Sequence, residues 1–406
     1  MKKGRKSKNI KFVNNPFASF WMGGYECTDQ LNAFGNRVDL LQTTGHFDLM
    51  AQDYQQLQPF GIKTVREGIR WSQVEKEPYQ YDWTAVAKMM AHGKQCGIQQ
   101  VWDICHFGFP DDLTPLHPHF TNRFAALCRA FVSFYRTVNP DGPLIVTPIN
   151  EVSFLSWLGG DVGGTAPFAV RMGWDVKYHL MRAYIQGINA MREVDPGVRI
   201  LTTEPLINIA PPLSATEQEL HETAVHHNYQ YQALDILSGR MCPELGGTPE
   251  HLDIVGLNYY YNNQWVLGYR EFLPWANIPI DDRWRPLSSL LLEAHQRYQR
   301  PVILSETSHA GIDRPHWISF IAKQVSIVLR QGVPFWGVCL YPIIDRPDWD
   351  HPSYWHQSGL WDAAFTSDAH PERVLYAPYA EALLKAQALT TTARKKTTTV
   401  SRIAAP

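Results

Sequence analysis

The chain has 406 residues, of which 45% are hydrophobic and 12% aromatic, and its formal net charge at pH 7 is −2. This length and apolar content can bury a large core, and the near-neutral charge argues against nucleic acid or a membrane as the partner. The basic run at residues 2–8 is not followed by the apolar core of a signal peptide, and no stretch is long enough to span a bilayer. The six cysteines are scattered without metal-binding spacing, so we expect free thiols, no metal and a cytoplasmic protein.

Eight apolar runs are predicted as buried strands, because each is short and bounded by polar residues, Gly or Pro. The first opens at Phe17 and breaks at Gly23, and the others are 62–66, 98–106, 146–151, 199–204, 252–260, 301–306 and 335–341. Helical periodicity lies between them at 47–58, 83–95, 122–138, 175–193, 216–238, 287–297, 317–329 and 379–389. Regular strand–helix alternation predicts parallel pairing, and therefore an α/β protein built as a single (β/α)8 TIM barrel.

The pattern predicts three regions. Residues 1–12 form a basic N-terminal arm and residues 13–389 the barrel, while 390–406 lack an apolar face and are predicted to be a disordered tail. Within the barrel, 261–285 has no periodicity and is predicted to be a long functional loop.

Two of the predicted strands end in a carboxylate. The fourth closes on Asn150 and Glu151, and the seventh closes on Glu306. Either glutamate could merely cap the helix that follows, but catalytic residues collect at the carboxyl ends of barrel strands, and two matched positions favour a shared site. Two facing carboxylates suit the cleavage of a glycosidic bond, in which one group donates a proton and the other stays charged.

Three further side chains are expected at the same end of the barrel. Arg66 would supply a cation to the charged carboxylate, Tyr260 a hydrogen-bond donor, and His106 a contact to a substrate hydroxyl. Aromatic residues beside polar ones, as in Trp102-Asp103, suit a sugar, which has both apolar faces and hydroxyls.

These motifs resemble the retaining β-glycosidases of glycoside hydrolase family 1 over about residues 17–384. Thr147-Pro148-Ile149-Asn150-Glu151 is similar to the family's T-x-N-E motif, residues 303–308 to I-T-E-N-G, and residues 256–260 to G-x-N-Y-Y. The resemblance implies Glu151 as acid/base and Glu306 as nucleophile. It also implies supporting roles, with Asn150 on the sugar 2-hydroxyl, Asn258 and Tyr260 beside the nucleophile together with Arg66, and Gln30 and His106 on the nonreducing sugar.

The chain also departs from the family pattern. Glu306 is followed by Thr307-Ser308, and the family's glutamate after strand eight becomes the shorter Asp348. By this alignment Tyr341, Asp348 and Trp349 would contact substrate, and Pro342 predicts a cis Tyr341–Pro342 bond that turns Tyr341 toward the sugar.

The expected activity is therefore that of a β-glucosidase-like retaining glycosidase, which hydrolyses terminal β-linked sugars by double displacement without a cofactor. Its partner would be a small-molecule or oligosaccharide β-glycoside. Two alternatives stay open: a barrel that binds a carbohydrate or a partner without turnover, and a 6-phospho-β-glycosidase. Arg346 favours the second and the charge of Asp348 opposes it. The sugar, the leaving group, hydrolysis versus transglycosylation and the oligomeric state stay open as well.

Overall fold

The computed structural model describes residues 14–269, 271–276, 279–365 and 370–403, with side chains as far as residue 395. The predicted basic arm at 1–12 therefore lies outside the described residues. Within the described ranges, none of the helices combines the length and apolar character needed to cross a membrane.

Eight parallel strands form a closed barrel in the predicted order. Seven are continuous: Trp21–Gly24, Thr64–Gly68, Gln99–Cys105, Ile145–Ile149, Val255–Asn258, Val302–Thr307 and Phe335–Leu340. The fifth barrel strand consists of two segments, Arg199–Ile200 and Glu204–Pro205. The first strand pairs with the second and the eighth, and a parallel bridge from Leu201 to Ile254 closes the circle between the fifth and sixth. The predicted (β/α)8 barrel is confirmed.

Helices surround the barrel on its outer face. The α-helices are Leu40–Thr43, His46–Gln56, Trp71–Val74, Thr84–Cys96, Phe120–Val138, Val152–Ser156, Gly173–Val194, Glu217–Asn228, Gln232–Leu237, Leu287–Tyr298, Arg314–Arg330 and Ala377–Ile403. Short 3-10 turns lie at Gln58–Phe60, Tyr229–Tyr231, Pro243–Leu245 and Gly311–Asp313, and a π-helical turn at Trp157–Asp161.

Local sequence explains several of these boundaries. Thr216 and Glu219 form a reciprocal capping box at the start of Glu217–Asn228. Gly97 ends Thr84–Cys96 in the left-handed conformation, which glycine adopts without steric cost. The 3-10 turn at Tyr229–Tyr231 divides the single helix predicted at 216–238 into two.

The core has two layers. A large cluster fills the space between the strands and the helices, as with Phe124 and Phe131 on one amphipathic helix. A smaller cluster of Val101, Ile145, Ile303 and neighbouring residues fills the interior of the barrel. Polar side chains lie beyond this cluster, at the carboxyl ends of the strands, and they form the site described below.

Two short strand pairs lie outside the barrel. Asn208–Ala210 pairs with Gln264–Val266, so the predicted long loop at 261–285 contains a strand. Trp361–Ala364 pairs with Glu372–Leu375 in an antiparallel hairpin.

The final helix, Ala377–Ile403, extends through residues 390–403 of the segment that was predicted to be a disordered tail. Thr390 is buried and accepts a hydrogen bond from Trp21 Nε1 at 3.1 Å, and Ala393 is also buried. The apolar face of this segment is built from small residues, which a search for large apolar side chains misses.

Candidate active site

The carboxyl ends of the strands bring the predicted catalytic groups to one end of the barrel. Glu151 directly follows the fourth strand, Glu306 lies in the seventh and Arg66 in the second. Arg66 and Glu306 are buried, whereas Glu151 is partly exposed. A buried carboxylate paired with a cation, beside a second carboxylate on a partly exposed residue, is typical of a reaction site.

Both carboxylate oxygens of Glu306 accept a hydrogen bond. Arg66 Nη1 donates to Oε1 at 2.8 Å, and Tyr260 Oη donates to Oε2 at 2.8 Å. Burial, together with the charge of Glu306, raises the pKa of the Tyr260 hydroxyl, which therefore keeps its proton and remains a donor. A register shift against the sixth strand lies between Leu304 and Glu306, and such irregularities commonly redirect a side chain beside a site. Glu306 is thus held as an oriented carboxylate.

Arg66 links three side chains at the strand ends, namely the carboxylates of Asp103 and Glu306 and the amide of Asn150. Its Nη2 donates to Asp103 Oδ2 at 2.6 Å and to Asn150 Oδ1 at 3.0 Å, and its Nη1 also reaches the carbonyl oxygen of Ser305 at 3.0 Å. Burial opposes the charge on Arg66, but the neighbouring carboxylates outweigh it and raise the pKa of the guanidinium. The ring of Tyr341 lies 4.9 Å from the guanidinium carbon. One fixed cation therefore orients both Glu306 and the Asn150 side chain.

Glu151 has a strained backbone and an environment that favours its protonated form. Its φ of 45° and ψ of 58° lie in the left-handed region, which costs a non-glycine residue about 1–2 kcal/mol. Burial and the negative charge of Glu306 raise the pKa of Glu151 well above its ordinary value, and a hydrogen bond from Asn258 acts against them. Glu306 bonded to Arg66 and Glu151 with a raised pKa are the two states that a nucleophile and a proton donor require.

The side-chain amide of Asn258 donates a hydrogen bond to Glu151. Ser305 Oγ donates to Asn258 Oδ1 at 2.6 Å, which orients the amide so that Nδ2 donates to Glu151 Oε1 at 2.9 Å. Asn258 is also the register partner of Glu306 in the neighbouring strand, so it lies beside both glutamates.

His106 stands where a sugar hydroxyl contact is expected. Its Nδ1 lies 3.0 Å from Asp103 Oδ2, and its Nε2 lies 3.2 Å from Tyr341 Oη and 3.3 Å from Asn150 Nδ2. Burial alone would lower the pKa of the imidazole, but the hydrogen bond to Asp103 and the charge of Glu26 raise it. Tyr341 stacks on the His106 ring, and the predicted cis Tyr341–Pro342 bond is present. Gly24 makes this stack possible, because a Cβ there would lie 2.0 Å from Tyr341 Cδ2.

The other predicted substrate contacts have different surroundings. Gln30 is buried, and no described contact joins its side chain to the two catalytic glutamates or to His106. Asp348 Oδ1 accepts backbone hydrogen bonds from Asp350 at 2.9 Å and His351 at 3.0 Å, so part of its carboxylate is already occupied. Trp349 packs against Phe107, with 5.5 Å between the ring centroids.

Two residues in the site were missed by the sequence reasoning. Glu26 Oε1 lies 3.5 Å from His106 Nε2, and Glu26 Oε2 lies 3.4 Å from Arg346 Nε. Asp103 is fully buried between Arg66 and His106. A signal for Asp103 was present, because it lies two residues after the inward-facing Val101 and therefore on the same face of the third strand.

One group of three potential metal ligands is found among the described residues: Cys27, Asp103 and His106. The relevant Asp103 oxygen already accepts from Arg66 at 2.6 Å. Burial and the charge of Asp103 raise the pKa of the Cys27 thiol, so the thiolate that a metal needs is disfavoured. This donor set does not fit a metal ion.

A cavity of about 200 Å³ lies beside the site, behind Phe107. Its wall is mostly apolar and includes Phe109, Leu113 and Phe168, with Arg37 at one side. Neither Glu151 nor Glu306 is among the described residues that line it. Phe107 lies between the candidate site and this cavity.

These observations define a class of protein. Its members are closed (β/α)8 barrels with one carboxylate after strand four and another on strand seven. No known family model matches the chain, and comparison with curated protein sequences gives no match.

Solved structures share its fold. A family 1 β-glucosidase from Thermotoga maritima in complex with isofagomine lactam superposes with a TM-score of 0.70 at 15% identity, covering 95% of this chain and 99% of the other. The same enzyme in complex with glucoimidazole gives 0.71 at 15% identity, covering 93% and 99%. The AHE enzyme from Alicyclobacillus herbarius gives 0.71 at 14% identity, covering 93% and 100%. The chain thus has the fold of the family 1 β-glucosidases over nearly its whole length.

Proposed function

We propose that this protein is a retaining β-glycosidase, β-glucosidase-like, which hydrolyses terminal β-linked sugars by double displacement. The observation that carries the proposal is the contrast between the two carboxylates. Glu306 accepts hydrogen bonds from Arg66 and Tyr260, whereas burial and repulsion from Glu306 raise the pKa of Glu151. A glycosidase needs this division into one charged and one protonated carboxyl group.

In the first step, a carboxylate oxygen of Glu306 attacks the anomeric carbon while Glu151 gives its proton to the departing oxygen. The products are a covalent glycosyl–enzyme and a free alcohol. In the second step, Glu151 takes a proton from water, the resulting hydroxide displaces Glu306, and the sugar leaves with its original configuration. Both steps balance without a cofactor or a metal.

The remaining residues act on the sugar and on the two carboxylates. Asn150 is held by Arg66 at 3.0 Å, and we place it on the 2-hydroxyl. His106 and Tyr341, 3.2 Å apart, contact the nonreducing sugar, and Trp349 supplies an apolar wall. Gln30 and Glu26 are placed on the same sugar, and Glu26 is supported by its position 3.5 Å from His106.

The test is turnover of a panel of chromogenic β-glycosides, with and without a 6-phosphate, by the full chain. We expect hydrolysis of an unphosphorylated β-glycoside, and a loss of at least about 10⁴-fold in Glu306→Gln, since the nucleophile is essential to both steps. Glu75→Gln is the matched control, because Glu75 is a similarly buried carboxylate that lies away from the site. Its side chain accepts a hydrogen bond from the backbone N–H of Tyr79, with a donor–acceptor distance of 2.7 Å.

Each alternative has its own outcome in this panel. Turnover confined to 6-phosphorylated substrates would favour a 6-phospho-β-glycosidase. Binding of glycosides without turnover of any substrate would favour a non-catalytic barrel. We also propose a cytoplasmic location, which the six unpaired cysteines support.

A further inference from the structure

Another buried carboxylate, that of Glu204, lies behind the proposed proton donor. Glu204 begins the second segment of the fifth strand, where it pairs with Leu257 of the sixth strand, and it is 3% exposed. Nothing in the reaction described above uses it. The hydrogen bonds that the structure gives its side chain go to backbone N–H groups.

Glu204 and its neighbour bind the backbone immediately around Glu151. The N–H of Glu151 donates to the carbonyl oxygen of Thr203 at 2.9 Å. The next two N–H groups donate to Glu204, from Val152 to Oε1 at 2.7 Å and from Ser153 to Oε2 at 3.2 Å. Three successive backbone donors are thus bonded to residues 203 and 204, and this is the turn in which Glu151 has its left-handed conformation.

We propose, building on the proposed glycosidase function, that Glu204 is a positioning residue for Glu151, fixing its left-handed turn and keeping a second negative charge close to it. One carboxylate would then do two things for the proton donor. The hydrogen bonds set the direction in which the Glu151 side chain leaves the backbone. The charge makes it harder for Glu151 to lose its proton in the free enzyme.

Two backbone N–H groups and one cation act on the charge of Glu204. The cation is Lys177, on the helix Gly173–Val194, whose Nζ donates to Gln232 Oε1 at 2.8 Å. No salt bridge to Glu204 is found in the part of the chain that the structure describes. Tyr184 on the same helix is also buried beside Glu204, and its hydroxyl has no described partner. Burial raises the pKa of Glu204 itself, and the bonds to residues 152 and 153, with Lys177, oppose this.

The groups around Glu151 determine the direction of the effect. Burial, Glu306 and Glu204 raise the pKa of Glu151, while Asn258 and Arg66 lower it. Removing the charge of Glu204 removes one of the groups that raise it. The pKa of Glu151 should then fall, and the alkaline limb of the pH–rate profile should move to lower pH.

Glu204→Gln tests the charge, because it keeps the length of the side chain and one acceptor oxygen. Glu204→Asp tests the geometry, because it keeps the charge but cannot reach both N–H groups. Glu75→Gln again controls for the loss of a buried carboxylate that bonds backbone. Each variant is assayed with an activated dinitrophenyl glycoside and an unactivated alkyl glycoside. The titration of Glu151 is followed separately by ¹³C NMR of glutamate-labelled protein, with Glu151→Gln identifying the resonance.

For Glu204→Gln we expect Glu151 to titrate at lower pH and kcat for the alkyl glycoside to fall about 10-fold, part of the 10²–10⁴ typical of general acid catalysis. The dinitrophenyl glycoside, which needs no proton in the first step, should lose less than about 3-fold in that step, and KM should change little. Glu204→Asp should keep the titration of Glu151 near that of the unmutated protein while losing rate on the alkyl glycoside.

Two outcomes would overturn the inference. One is an unchanged Glu151 titration in Glu204→Gln. The other is an equal loss of rate on both substrates, matched by Glu75→Gln, which would indicate a general effect on folding. Should Glu204→Gln fail to fold, Glu204→Asp alone still decides whether rate on the alkyl glycoside is selectively lost. If the unmutated protein turns over no glycoside, the proposed function fails, and the NMR titration still decides the coupling between Glu204 and Glu151.

Discussion

Removing the Arg66 guanidinium should have a large and selective effect, because one buried cation serves two carboxylates. Its bonds to Asp103 at 2.6 Å and Glu306 at 2.8 Å are both shielded from solvent. Taking away one partner of a buried ion pair typically costs about 3–5 kcal/mol. For a 406-residue chain the unfolding entropy is about 0.85 kcal/mol/K at 60 °C, so Arg66→Met should lower Tm by about 4–6 °C in calorimetry.

A double-mutant cycle separates the ion pair from mere loss of packing. Asp103→Asn alone removes the charge that Arg66 and His106 share, and combined with Arg66→Met it no longer leaves a buried carboxylate unpaired. The double variant should therefore be less destabilised than the two single effects added together, by about 1–3 kcal/mol. Strict additivity would refute the assignment of Arg66 and Asp103 as a coupled pair.

Arg66→Met should also slow the reaction, in addition to destabilising the fold. A hydrogen bond to a charged group contributes about 1.5–3 kcal/mol, which corresponds to about 10–100-fold in the step that uses Glu306. Arg123→Met is the matched control, since Arg123 is also buried and bonded to carboxylates, at Glu75 and Asp112, away from the reaction site. The control should lose stability with little loss of kcat. Equal losses of kcat in the two variants would contradict the role given to Arg66.

Three other outcomes are expected. Glu151→Ala should keep glycosylation by dinitrophenyl glycosides and lose about 10²–10⁴-fold in rate on unactivated ones. Added azide should yield a β-glycosyl azide. If azide rescued neither substrate, the roles assigned to the two glutamates would be contradicted. Gly24→Ala should cost about 1–3 kcal/mol or more in urea unfolding, because its Cβ would meet the Tyr341 ring at 2.0 Å, and an unchanged midpoint would show that the ring moves freely. NMR of the first product formed should show the β-anomer, which requires the carboxyl groups of Glu151 and Glu306 to lie about 5–5.5 Å apart, and an initial α-anomer would instead indicate an inverting pair.

The barrel and the two glutamates could be predicted because their signals are local. Each strand is an apolar run with polar residues at its end, and the fourth and seventh strands place Glu151 and Glu306 at matching points. The partners of these glutamates depend on side-chain orientation, which periodicity does not contain. Asn258 pairs with Glu306 in the strand register, but the sequence could not show that Ser305 orients its amide toward Glu151.

Loops and small residues account for what the sequence could not predict. Glu26 lies beside His106, and the sequence pattern did not indicate it because the path of the chain after the first strand is irregular. Asp348 was predicted from alignment alone, which could not show that backbone N–H groups would already bond its carboxylate. Thr390 and Ala393 are buried although neither is large or strongly apolar.

The pairing of the first strand with the eighth affects how the chain folds during its synthesis. Trp21–Gly24 pairs on one side with the eighth strand, which begins at Phe335, and the Trp21 indole bonds to Thr390 in the last helix. At about 5–20 residues per second, a ribosome needs roughly 15–60 s to reach the eighth strand after completing the first. Throughout that time one edge of the first strand has no partner, and unpaired edges are prone to wrong association. A nascent chain stalled before Phe335 should therefore be far more dependent on chaperones than one stalled after the last helix.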